Sequence, residues 1–333
     1  MVHYFSLVVA ASTAVLIFAG GLVTSTGSGL SVPDWPNTYG WFMFTFPLEK
    51  MVGGIFYEHS HRLIASTVGF LILVLAFWLG RTEPRRWVRR LAYLALAAVV
   101  VQGILGGITV LWYLPAPISI SHASLAQLVF CAATAIALVT STGWKRGYGG
   151  YADGAGHPDR SGDRRLQQIA VLTTATIYMQ IVVGATMRHL GAGLAIPDFP
   201  LAFGQLVPPH WDTGIAIHFA HRVGALIVTT LVVATTAHVF YRHRRRGELV
   251  RPSIALLLLV AVQITLGALT VLSGRHHIIN SLHVVTGGAV LVTSLVLALR
   301  AWRPRFADAP SGPAAEASAR RRPLADRPAG ARA

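Results

Sequence analysis

Four histidines, His61, His122, His221 and His283, share one setting in this chain: each stands at or just inside the start of an apolar stretch. They form two pairs, spaced 61 and 62 residues apart. Within a pair the chain runs through one apolar span, a basic loop and a second span back, so both imidazoles return to the same level. Two facing imidazoles on neighbouring helices suit a six-coordinate haem iron, because bundle sites are built from side chains on facing helices and His is a standard axial ligand. Zinc would need a third or fourth ligand, and neither half offers an evident Cys or carboxylate set. A single such histidine could equally be an interfacial residue at a helix start. Four at matching positions in a repeated frame argue for the metal.

The neighbours of these histidines extend the chemistry. Arg62 and Arg222 directly follow two of them, and two readings stay open: interfacial snorkelling, or bidentate pairing with haem propionates. Glu58 lies three residues before His61, on the same face if that turn is helical, and the equivalent position in the second half is His218. A carboxylate in one half only suggests that one site reacts and the other does not. It can move protons or stabilise developing positive charge, although a carboxylate favoured by the helix dipole would look the same. His59 points away from its neighbour's partner, His276, His277, His189 and His210 fall in outer loops, and His238 and His243 sit among inner-loop arginines. Gly103, Gly106, Gly107 and Gly267 would let helices or a flat macrocycle approach closely.

These residues need helices in a membrane to position them. The chain has 333 residues, 53% hydrophobic and only 12% charged, about half the charge of a soluble domain. Eight stretches reach the roughly 20 apolar residues that span a bilayer: 5–24, 62–80, 91–112, 122–142, 167–187, 218–240, 252–273 and 280–299. The first reads as a retained helix, since no basic leader or cleavage site precedes it. The one cysteine, Cys131, lies in an apolar run and excludes an internal disulfide.

The chain is a duplication. Gly27-Ser28-Gly29-Leu30-Ser31-Val32-Pro33-Asp34-Trp35-Pro36 recurs as Gly191-Ala192-Gly193-Leu194-Ala195-Ile196-Pro197-Asp198-Phe199-Pro200, and the stretch from Val99 to Leu111 recurs from Val260 to Leu272. Pro and Gly make the first block a rigid outer-loop lid whose aromatic, Trp35 or Phe199, covers a macrocycle or sits in the interface. Each half holds four spans, so the two halves run the same way, as a parallel repeat about an axis along the membrane normal. The expected fold is all-α: eight transmembrane helices as two pseudo-symmetric four-helix bundles, residues 1–142 and 167–302. A cytoplasmic Gly-rich linker, 143–166, joins them, and a disordered basic tail, 303–333, follows.

Charge orients this frame. Of the 28 basic residues, 23 lie in alternate connections and the tail, and basic loops stay cytoplasmic. Both termini are expected inside and the haem sites near the outer leaflet of the cell membrane. The net charge of +15 is thus a topology signal, with attraction to anionic lipid secondary. The basic loops are short and lack interleaved aromatics, which speaks against nucleic acid. No charge falls in the middle of a span, which speaks against a charged transport path.

Taken together, Glu58-x-x-His61-Arg62, the His122-Ala-Ser-Leu-Ala-Gln segment, Pro197-Asp-Phe-Pro200, His221-Arg222 and the His283 segment resemble the haem A synthase family over about residues 5–300. The resemblance implies oxidation of the C8 methyl of haem O to a formyl group by two successive hydroxylations and loss of water, for cytochrome oxidase assembly. It implies a cofactor haem b between His221 and His283, the substrate haem between His61 and His122, and Glu58 as the functional carboxylate. The haem O synthase and a quinol or other electron donor are the partners it suggests. Many bacterial members carry a cysteine pair in the first outer loop, whereas residues 25–57 here contain none. The competing expectation is a di-haem b membrane cytochrome that relays electrons from quinol; a pure relay gains nothing from a carboxylate in one half.

Overall fold

The computed structural model describes residues 1–146 and 163–303. Nine α-helices order these residues: α1 (Val2–Ser25), α2 (Gly53–Thr82), α3 (Arg86–Leu111), α4 (Ala116–Thr140), the short α5 (Thr142–Arg146), α6 (Arg164–His189), α7 (Thr213–His243), α8 (Gly247–Leu272) and α9 (His277–Trp302). All but α5 are long and apolar enough to cross a membrane. At 24 to 31 residues they measure about 36 to 46 Å, longer than the roughly 30 Å hydrocarbon core. Helices close every backbone bond within the segment, which lipid demands. Among the described residues there is no β-strand beyond two isolated bridges, Thr38 with Trp41 and Ala202 with Gln205.

Packing follows chain order. In the first half α1 packs on α2 and α4, α2 on α3, and α3 on α4; in the second, α6 packs on α7 and α9, α7 on α8, and α8 on α9. Each ring of four has its own apolar core on the side away from the duplicated loops. Val68, Ile72, Leu75, Leu79, Val88 and Ile136 fill the first; Leu166, Val232, Val239, Leu249, Leu256 and Leu297 fill the second. The halves meet where α1 and α4 touch α9 and α4 touches α6, through Ile17, Phe130 and Val292. Small residues let the backbones close there: a Cβ on Gly21 would meet the Ser281 backbone at 3.2 Å.

Three expectations shift. α2 begins at Gly53 and α7 at Thr213, several residues before the apolar stretches do. The polar turn Glu58–Arg62 is helical because the first duplicated loop covers it and supplies partners for Glu58, His59 and Arg62. The expected linker 143–166 is also narrower. Thr142–Arg146 is helix, and α6 starts at Arg164 with the Asp163 carboxylate accepting from the Leu166 amide, a side-chain N-cap. The remaining linker residues 147–162, and the tail from 304, lie outside the described residues.

Candidate haem sites

The two duplicated loops are held by one device, built twice. Arg62 donates from one guanidinium nitrogen to the carbonyls of Asp34 and Asn37, at 2.7 and 2.9 Å. From the other it donates to the Val32 carbonyl and to Glu58 Oε1, at 2.9 and 2.7 Å. Arg222 donates to the carbonyls of Leu201, Asp198 and Ile196. Asp34 in turn accepts from the Tyr39 and Gly40 amides, and Asp198 from those of Phe203 and Gly204. The loop motif and the His-Arg motif recur together because one is folded onto the other. Of the two readings of these arginines, the structure adds a third: their forks clamp loop carbonyls. Free snorkelling is ruled out for Arg62, which is 9% exposed.

Asp34 and Asp198 both sit below the usual carboxylate range. For Asp34 burial pushes up, but the Gly40 and Tyr39 amides outweigh it; for Asp198 the Gly204 amide is the main cause. A carboxylate with a depressed folded pKa stabilises the folded loop above its unfolded value of 3.8 and loses that contribution as pH falls through the folded value. The two duplicated loops are therefore expected to resist proteolysis across neutral and mildly acidic pH. Limited proteolysis of the detergent-solubilised protein should show nicking within 27–52 and 191–212 only below pH 3.8.

Glu58 and His218 do the same structural job. Glu58 Oε2 accepts from the Val32 amide at 2.8 Å, and His218 Nδ1 accepts from the equivalent Ile196 amide at 3.2 Å. Both residues are 3% exposed. The expected asymmetry is thus present, and both residues point at the loop they anchor. Glu58 also makes a buried ion pair with Arg62.

The four histidines are set in one repeated way. Each ring lies against a glycine of the preceding helix, where a Cβ would touch the imidazole Cε1. The pairs are Gly20 with His61 at 3.0 Å, Gly106 with His122 at 3.2 Å, Gly184 with His221 at 2.8 Å, and Gly267 with His283 at 3.1 Å. Three of them also lie beside a glutamine one turn before that glycine. Gln102 Nε2 donates to the His122 carbonyl at 2.9 Å and lies 3.4 Å from its Nε2. Gln180 Nε2 donates to the His221 carbonyl at 2.7 Å and lies 3.0 Å from its Nδ1. Gln263 Nε2 lies 3.4 Å from His283 Nε2. Gln-x-x-x-Gly therefore occurs at 102–106, 180–184 and 263–267, a signal the sequence offered and spacing from the histidines alone does not reveal.

The residues fit a haem. The His221 and His283 rings stand 6.4 Å apart, centre to centre. About 2 Å for each imidazole–metal bond, plus half a ring on either side, comes to about 6 Å for one metal ion between two imidazoles. The Nδ1 atoms of His61 and His122, and the Oε1 atoms of Gln102 and Gln263, are buried with no protein partner. Native interiors rarely leave such atoms unmatched without a ligand or water to serve them.

The remaining residues divide. Gly107 lies under the Trp35 ring, 2.7 Å from where its Cβ would be, and Gly103 has no atom within 4 Å of that position, so Gly103 is not a close-approach glycine. His59 is buried against Phe46, its Nδ1 3.0 Å from the Thr38 hydroxyl. His238 and His243 both reach Asp163 Oδ2, at 2.7 and 3.0 Å, near the C-terminal end of α7 and away from the four. A methyl group at Gly184 should displace the His221 ring. Gly184→Ala is expected to lower bound haem severalfold while Gly103→Ala leaves it unchanged, as read by pyridine haemochrome spectra of the purified variants.

Comparison with known proteins now bears on this geometry. The family model described as COX15-CtaA, cytochrome oxidase assembly protein, matches residues 3–296. The chain belongs to this family. It is similar to a protein named Heme A synthase in Symbiobacterium thermophilum, 31% identical over 288 residues that cover 83% of this chain and 89% of that one. A protein of the same name in Geobacillus kaustophilus is 28% identical over 316 residues, 91% of this chain and 94% of the relative. Another in Halalkalibacterium halodurans is 28% identical over 295 residues, 84% and 90%. For this family, the paired imidazoles and their glycine seats are the residues to test for haem.

Proposed function

We propose that this chain is a haem A synthase: a multi-pass membrane oxidoreductase that converts the C8 methyl of haem O to a formyl group by two hydroxylations and loss of water. The observation that carries the reading is the set of four imidazoles seated in the same way on glycines, two in each half, in a chain of the COX15-CtaA family. The relatives' names favour this reading over a di-haem relay.

In this reading the halves are pseudo-symmetric bundles with different tasks. The N-terminal half, residues 1–142, takes the substrate haem between His61 and His122. The C-terminal half, 167–302, holds a haem b between His221 and His283, and this group supplies one-electron chemistry when bound. Two imidazoles from different helices fix the plane of the substrate ring. Oxidising one methyl among several depends on that plane and on the ring's rotation within it. Glu58, three residues before His61 on α2, is the carboxylate assigned to moving a proton, or stabilising positive charge, as the methyl is oxidised. Arg62 holds that carboxylate and the loop together, so the acid is not free to turn away. The Trp35 lid lies against α3 at Gly107, next to the glycine that seats His122, where it excludes water from the ring edge. The basic-loop pattern puts both termini in the cytoplasm and the sites near the outer leaflet of the cell membrane. Haem O synthase and a quinol are the partners that this assignment suggests.

The test is acid-acetone extraction of protein purified from cells that make haem O, with chromatography for haems B, O and A. Haem A, with haem O or B, is the expected content. Protein that yields haem B alone, from a host that retains haem A after deletion of the gene, would overturn the reading.

A further inference from the structure

Gln180 and Gly184, beside the His221 ring, share one face of α6, and the next residue on that face is Arg188. At the same step beyond the other three seat glycines stand Thr24, Val110 and Val271, so one seat of the four carries a guanidinium. Arg188 Nη2 donates across the seam between the halves, to the Gly21 carbonyl at 2.8 Å and the Ser25 hydroxyl oxygen at 2.9 Å. Both acceptors are neutral. The Nε of Arg188 is buried with no partner, and among the described residues no carboxylate stands within ion-pair distance of it. The charged side chain that acts on Arg188 is a second cation, Arg275. Arg275 packs on the second duplicated loop, where a Cβ on Gly193 would meet its Cδ at 3.6 Å. Arg188 is also close enough to His283 for its charge to act there.

A cation shielded from water at the end of a membrane span is costly unless an anion meets it. Arg62 and Arg222, the sequence's candidates for haem carboxylates, have their donors on loop carbonyls instead. Resting on the assignment of a haem b to His221 and His283, we propose that Arg188 binds a propionate carboxylate of that haem through its free Nε–H, with Arg275 adding to the positive field. A charge-assisted bond of this kind is roughly twice as strong as a neutral one. The first half lacks both cations at the matching places. Thr24 stands where Arg188 would, and Leu114 where Arg275 would, by the same offset that relates Leu111 to Leu272. A Cβ on Gly29 would meet Leu114 as one on Gly193 would meet Arg275. A haem that stays is therefore anchored by its carboxylate as well as its iron. A haem that arrives as substrate and leaves as product is free of that anchor.

Potentiometric titration of the purified, haem-loaded protein tests this, with haem content by pyridine haemochrome and resonance Raman spectra of the same samples. Removing a cation from a haem carboxylate favours the ferric form. Arg188→Gln is expected to shift the one-electron equilibrium of the second haem about tenfold toward that form, about 59 mV, and to move its propionate bending mode. The first haem should keep its potential. Arg188→Lys, which keeps the charge, should retain most of the wild-type potential. Ser25→Ala removes a seam partner of Arg188 and leaves the guanidinium, so both readouts should stay as in the wild type. A potential that moves as far in Ser25→Ala as in Arg188→Gln, or a propionate mode unmoved in Arg188→Gln, would overturn the proposal and leave the proposed function standing. Where Arg188→Gln folds poorly, Arg188→Lys decides: exchanging a guanidinium for an ammonium changes the donor and should move the mode, and an unmoved mode overturns the proposal. Absence of haem from the C-terminal half would overturn both this proposal and the assignment it rests on.

Discussion

His122→Ala and His61→Ala are each expected to lower haem A formation at least about 100-fold, beyond what loss of a supporting hydrogen bond costs a metal site. Both variants should keep the haem of the second half. The reason to expect a local effect is where the core lies. The buried apolar residues of α2, Val68, Ile72, Leu75 and Leu79, begin two turns beyond His61. The corresponding residues of α4, Val129, Ala133 and Ile136, likewise follow His122 by two turns or more. Truncating either imidazole leaves a gap against Gly20 or Gly106 and leaves those contacts intact. The measurement is haem chromatography beside a redox difference spectrum of the same preparation. His221→Ala and His283→Ala should instead remove the spectral signature of the second haem. If His61→Ala and His122→Ala deplete the same haem as His221→Ala, the assignment of one haem to each half fails.

Glu58→His should lower haem A formation about 100-fold or more, the range of a positioned acid or base, while haem content and folding stay close to wild type. This substitution separates two roles that the structure superimposes. The loop role survives it: in the second half an imidazole, His218, accepts from the equivalent amide. The clamp also survives without a carboxylate, since Arg222 holds its loop through three carbonyls with no acidic residue in its helix beside it. Arg62 is more deeply buried than Arg222, so loss of its ion pair should still reduce stability, within the roughly 3–5 kcal/mol typical of a broken buried pair. Glu58→Gln is the companion, keeping the acceptor for Val32 and removing the charge. Full activity in Glu58→His would make the carboxylate a loop anchor and nothing more. Activity lost together with haem and thermal stability would place its main effect on the fold.

Much of this was legible in the residues alone. The eight spans, the duplication, the four histidines and the single unmatched carboxylate are written in hydropathy and in repeated spacing, and both signals survive without any knowledge of packing. A membrane simplifies such reading, because lipid permits little besides helices of sufficient length.

What the sequence withheld was decided by contacts between segments distant in the chain. Arg62 follows a histidine and reads as a partner for an anionic ligand. Its donors are taken by carbonyls 25 to 30 residues earlier, because a loop folded over the helix end leaves backbone oxygens that nothing else can satisfy. Gly20 carries no Gln-x-x-x-Gly pattern in its apolar run, and its purpose appears only when a ring from the next helix lies against it. The start of α2 fell outside the apolar stretch because a turn can be polar and still helical when another segment buries it. The sequence by itself picked out two pairs of histidines in a duplicated frame and the residues beside them. Only the tertiary structure decided that each of the four rings is seated on a glycine of the preceding helix, since that contact joins segments far apart in the chain.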